Sequence, residues 1–171
     1  MSAKARFIAG VVMTGVMALA SVTCTPPAQA QTKQQIDWCG LKNSPTNEQQ
    51  IDGCNAVIQS NWYSGQSLAA AFYNRANAYS RKGEYDRSIG DYDQAIQISP
   101  DFANAFYNRG NAYGNKGQFD RAIQDFDQAI KLEPKNAFAF RSRSIAKVRK
   151  GDKAGAAADM AQAKRLNPDI K

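Results

Sequence analysis

Histidine is absent from all 171 residues. Its absence removes the usual general base, the usual proton shuttle and the commonest metal ligand. Serine–histidine and cysteine–histidine nucleophile pairs are excluded with it. Long apolar runs are scarce. The run from Phe7 to Ala20 is 14 residues, against the roughly 20 that a membrane-spanning helix takes. Cysteine is limited to Cys24, Cys39 and Cys54, with no C-x-x-C pair.

What is present begins with an export pattern. Lys4 and Arg6 form a basic start, Phe7 to Ala20 is uncharged, and Thr23, Pro26 and Pro27 break the pattern before Ala28-Gln29-Ala30. This reads as a signal peptide over residues 1–30, cleaved after Ala30, and predicts a periplasmic or secreted protein. A retained anchor or a lipid-modified Cys24 is the alternative; Ser21-Val22-Thr23 makes a poor lipobox. Cleavage leaves Cys39 and Cys54, and an even count in an exported chain suggests a disulfide. A redox role is the sharper alternative, against a spacing far from C-x-x-C. No stable membrane insertion is expected after cleavage. Net charge is +7 for the whole chain. Residues 131–171 hold 11 basic and 4 acidic side chains, whereas residues 31–130 hold 9 and 11. A basic end attracts anionic partners, although export argues against nucleic acid.

The dominant feature is repetition. Between Phe72–Pro100 and Phe106–Pro134, 18 of 29 positions are identical, at an offset of 34. A looser third copy places Phe140, Gly151, Ala163 and Pro168 at the same offset. Such a period predicts stacked supersecondary units. In the second copy Phe106, Gly110 and Tyr113 share one helical face; Phe119, Ile123, Phe126 and Ile130 share another. Gly117 separates the two helices and Pro134 follows the second, as Gly83, Gly151, Pro100 and Pro168 do in the other copies. Small residues at Gly110, Ala112, Ala122 and Ala129 let helices approach, with Tyr113, Phe119 and Phe126 filling between them.

With Phe106, Gly110, Tyr113, Ala122, Phe126, Ala129 and Pro134 on this period, residues 69–168 resemble the tetratricopeptide repeat (TPR) family. The resemblance implies an all-α fold, a right-handed superhelical solenoid of helix-turn-helix repeats. First helices would line a concave face that binds a peptide or protein segment. The expected units are repeats at 69–102, 103–136 and 137–171, the third capping itself. Residues 31–68 are read as a degenerate N-terminal repeat or cap, stapled by Cys39–Cys54. Pro45 is expected in the first turn of its second helix.

The chain departs from the family at Arg75, Arg109 and Arg143, where leucine is usual. Each is followed 16 residues later by Asp91, Asp125 or Asp159. A buried arginine needs a paired acceptor, so three structural ion pairs are predicted; ligand binding by these arginines is the alternative. In the third copy Lys147 replaces a tyrosine and Lys164 replaces the counterpart of Ile130, as suits a solvated end.

The candidate groove comprises Tyr73, Asn74, Asn77 and Arg81 on one helix, Tyr107, Asn108, Asn111 and Asn115 on the next, and Arg141, Ser142, Ile145 and Arg149 on the third. Side-chain amides can satisfy both groups of a peptide bond. Tyrosines add rigid area, and Arg141 and Arg149 suit a carboxylate. The family's carboxylate clamp is only half matched, since Tyr73 stands where lysine is expected, so recognition of a free C-terminus is not predicted. The function expected is a non-catalytic adaptor or scaffold of the bacterial cell envelope, with no cofactor and no metal. One alternative is a binder of acidic glycan or lipid through the basic third repeat. Another is a hydrolase using carboxylates alone, drawn from Asp86, Asp120, Asp152, Asp91, Asp93, Asp125 and Asp127. These acids recur with the repeat and do not converge once. The sequence leaves partner identity and homo-oligomerisation open.

Overall fold

The computed structural model describes residues 33–171; the expected signal peptide and cleavage site, and Cys24, lie outside them. The described residues form eight helices: α1 (Lys33–Cys39), α2 (Asn47–Gln59), α3 (Gly65–Arg81), α4 (Tyr85–Ile98), α5 (Ala103–Asn115), α6 (Phe119–Leu132), α7 (Ala137–Lys150) and α8 (Lys153–Leu166). None is long and apolar enough to cross a membrane. Successive helices pack against each other throughout. Odd helices also touch across the repeat, α1 to α3, α3 to α5 and α5 to α7, whereas the even helices do not touch one another. The stack therefore closes on its odd-helix side and opens on its even-helix side, which makes the odd helices the inner layer.

Local chemistry sets the helix ends. Gly83, Gly117 and Gly151 have φ of 77°, 75° and 89°, a left-handed geometry that glycine adopts without a Cβ penalty. The N–H of the following residue returns to the last turn: Glu84 to Tyr79 at 2.9 Å, Gln118 to Tyr113 at 2.9 Å, Asp152 to Lys147 at 3.0 Å. This is a Schellman closure in all three repeats. Helix α2 starts with a capping box between Thr46 and Gln49. Pro45 precedes that cap, so it lies outside the helix and not in its first turn. A side-chain cap outcompetes the mild N1 preference of proline because it satisfies an orphan N–H.

The interior is built from small residues against a few rings. Ala76, Tyr92, Ala95 and Ala105 form one buried cluster; Ala122, Phe126 and Ala146 form the next. At Gly110 an added Cβ would lie 2.8 Å from the Phe126 ring and 3.2 Å from the Ala122 carbonyl oxygen, so α5 and α6 meet there without a side chain between them. At the N-terminal end α1 lies equally close to α2, where a Cβ on Gly53 would meet the Gln35 and Cys39 backbone. The Cys39–Cys54 disulfide joins these two helices with its Cα atoms 4.6 Å apart. At the other end Ile170 folds back against Ala137 and Ala163, beside Phe140, Met160 and Leu166. Ile170 follows Phe102 by 68 residues, two periods, and fills in the third repeat the place that Phe102 fills in the first.

Candidate functional site

Two polar systems run along the stack, one holding it together and one facing outward from the odd helices. The first is an arginine ladder. Arg75, Arg109 and Arg143 each chelate the carboxylate of Asp91, Asp125 or Asp159 through Nε and NH2, at 2.6–2.8 Å. The third guanidinium nitrogen, NH1, reaches back to the preceding helix pair: to Asn55 at 2.7 Å, Asp93 at 2.6 Å and Asp127 at 2.6 Å. Each arginine also lies over the ring of Phe72, Phe106 or Phe140, about 5.4–5.5 Å from its centre. One side chain thus ties two helices of its own repeat to the repeat before it, a task the fork geometry of guanidinium suits and a leucine could not perform. Burial pushes the Asp125 carboxyl up against the pull of Arg109. Burial pushes Asp159 up too, but Arg143 and Lys147 outweigh it and hold that carboxyl below its ordinary range; Lys147 lies 2.9 Å away.

The inner face carries two hollows that share Asn111. The first, about 320 Å³, lies between α3 and α5 and is lined by Asn77, Ser80, Arg81, Tyr92, Asn108 and Asn111. The second, about 510 Å³, lies between α5 and α7. Its rim is Asn111, Asn115, Ser142, Ile145 and Arg149, with Gly114, Phe119, Phe126 and Ala146 below. Tyr73, Asn74, Tyr107 and Arg141 line neither.

The amide rows are less open than their spacing implies. Asn77 Oδ1 accepts from the Tyr92 hydroxyl at 2.6 Å and from Asn108 Nδ2 at 2.9 Å. Asn108 Nδ2 also donates to the Tyr73 hydroxyl at 3.0 Å. These half-buried groups must find partners once water is excluded, and they find each other. Tyr73 stacks on Phe102, ring centres 4.7 Å apart, and Ser142 donates to the Tyr107 hydroxyl at 3.4 Å. Arg81 is turned toward α2, donating to Asn47 at 2.7 Å and to Gln50. Arg141 donates to the Lys171 carbonyl at 3.1 Å. Among the described residues Asn74, Asn111, Asn115 and Arg149 make no side-chain hydrogen bond or ion pair. The free polar groups therefore concentrate around the second hollow.

Tyr92, Ser80 and Gly114 were not singled out from the sequence. The signal for Tyr92 was there: it stands where the second copy has Phe126, and an added buried hydroxyl demands a partner. The carboxylates that could have formed a catalytic pair are dispersed. Asp86 meets Lys116, Asp120 meets Lys150 and Asp152 caps α8, while Asp91, Asp93, Asp125 and Asp127 belong to the arginine ladder.

Comparison with known proteins bears on the repeats and the fold. Residues 76–117 match a family model described as TPR repeat, and residues 103–136 match the tetratricopeptide repeat model. No curated protein sequence matches. Among solved structures, MamA superposes with TM-score 0.70 at 20% identity, covering 82% of this chain and 78% of MamA. The TPR domain of Arabidopsis OM64 superposes with TM-score 0.61 at 25% identity, over 62% of this chain and 88% of that one. The second TPR of Spaghetti (RPAP3), bound to the HSP90 peptide SRMEEVD, has TM-score 0.57 and 27% identity, over 65% and 98%. The chain carries tetratricopeptide repeats across residues 76–136, and its described residues have the all-α solenoid fold of TPR proteins.

Proposed function

We propose that the protein is a non-catalytic adaptor of the bacterial cell envelope that holds a segment of another protein along its odd-helix face. The observation that carries this reading is the set of unpaired polar side chains at Asn111, Asn115 and Arg149 on the rim of the larger of two adjoining hollows. A peptide backbone offers the complementary groups at every residue. The peptide-bound TPR of Spaghetti supports the choice of ligand class. The export pattern of residues 1–30 and a disulfide at Cys39–Cys54 support an oxidising compartment. Dispersal of the acids into ion pairs and a helix cap supports a binding role over a hydrolytic one. A photo-crosslinking side chain at Asn111, compared with one at exposed Gln128 on α6, tests the surface. Adducts with a partner in extract of the source cells are expected from position 111. Adducts confined to position 128 would move the function to the outer face.

A further inference from the structure

The inner face changes character along the stack. Asn104, Asn111 and Gly114 of α5 have Phe138, Ile145 and Val148 as their counterparts one period later on α7; of these, Asn111, Gly114 and Ile145 line a hollow of the inner face. All three α7 residues are exposed, and Phe138 and Ile145, seven apart, share a helix face. Large apolar side chains held in water along one line mark a contact surface. Beside them lies the larger hollow, whose base is the buried Phe126 and Ala146 and whose wall at Gly114 has no side chain. Arg149, at its rim, has no acceptor among the described residues. The segment from residue 131 onward carries an excess of seven positive charges. An amide-lined hollow ahead of it has its Asn77 and Asn108 groups already joined to each other.

Resting on the groove reading above, we propose that the hollow between α5 and α7 is a socket for one apolar side chain of an extended, internal segment of a partner protein, with an adjacent acidic residue paired to Arg149. The apolar base excludes water from the inserted side chain, and Ile145 flanks it on the rim. Asn111 meets the segment's backbone where it leaves the socket. Arg149 is the one cation among the residues that line the hollow; paired with the acidic side chain it leaves no second cation for a terminal carboxylate, so the segment is taken as internal. An apolar-acidic segment satisfies both the lining and the charge; a basic one would leave Arg149 facing a like charge.

The test uses a fluorescein-labelled, C-terminally amidated nonapeptide with Glu-Phe-Glu at its centre and Ser-Gly flanks, titrated against the purified protein by fluorescence anisotropy. Saturable binding is expected, weakened at least about tenfold when Phe becomes Ala or both Glu become Lys. Arg149→Glu is expected to reverse the Glu-over-Lys preference. Gly114→Leu places a side chain in the hollow, where a Cβ meets only the Ala122 methyl at 4.0 Å, so it is expected to abolish binding with the thermal midpoint retained. No saturable binding up to about 1 mM, equal affinity for all three peptides, or undiminished binding by Gly114→Leu would each overturn the socket. Partner crosslinking from position 111 that persists in Gly114→Leu would leave the groove reading standing while removing the socket.

Discussion

Two glycines four residues apart on α5 show how local surroundings decide the same substitution. A Cβ at Gly110 runs into the Phe126 ring at 2.8 Å, and that ring is itself buried. Gly110→Ala gains about 1 kcal/mol of helix propensity and loses about 1–3 kcal/mol to overpacking, so a net fall in urea-unfolding stability is expected. Gly114→Ala meets nothing closer than 4.0 Å and is expected to raise stability by up to about 1 kcal/mol. Equal effects at the two positions would contradict the close approach of α5 to α6. At Arg109 the penalty comes from what is left behind. Arg109→Leu strands the buried Asp125 without its counter-ion and is expected to cost roughly 3 kcal/mol or more. Adding Asp125→Leu removes the stranded charge, so the double variant is expected to recover much of that loss in the same unfolding assay.

At the scale of helices, what could be read from the chain was whatever the repeat wrote more than once. Gly83, Gly117 and Gly151 announce three turns because each needs the same left-handed backbone, and the arginine-to-aspartate offset of 16 recurs in every copy. The same offset also runs backward, from Arg109 to Asp93 and from Arg143 to Asp127. It went unread as a link between repeats because only stacking brings α4 beside α5. The amide rows misled for a related reason: spacing places side chains on a face but does not say that Asn77 and Asn108 reach each other. α1 has no second copy to compare, and the structure supplies its reason for existing, which is to cover α2. That arrangement makes the disulfide a local fastener. Replacing Cys39 and Cys54 by serine removes a cross-link over 15 residues, about 3 kcal/mol by chain entropy. Amide exchange is expected to quicken in α1 and α2 while α5 to α8 keep their protection. Uniform acceleration along the chain would mean that the cap and the repeats unfold as one unit.

For the molecule as a whole, the ion pairs divide into a ladder with buried carboxylates at Asp91, Asp125 and Asp159 and an exposed fringe, and pH and salt act on them differently. The fringe pairs Lys116–Asp86 and Lys150–Asp120 put exposed carboxylates in water, where screening leaves them worth little. Moderate salt is therefore expected to leave the unfolding midpoint nearly unchanged. The ladder responds to acid. Asp159 has a folded-state pKa below its unfolded value, set by Arg143 and Lys147 against the opposing effect of burial. A depressed carboxylate stabilises above its unfolded pKa of roughly 4, and that contribution disappears as pH falls through the lower folded value. Asp159→Asn removes it at neutral pH and has nothing left to remove in strong acid. The stability gap between the parent and Asp159→Asn, measured by urea unfolding at successive pH values, should be widest near pH 7 and close toward about pH 2. A gap of constant width would show that Asp159 acts by packing alone. It would also leave the joint between α7 and α8 resting on Ala156, Ala163 and the Ser144–Ala156 hydrogen bond, without electrostatic help from the ladder's last rung.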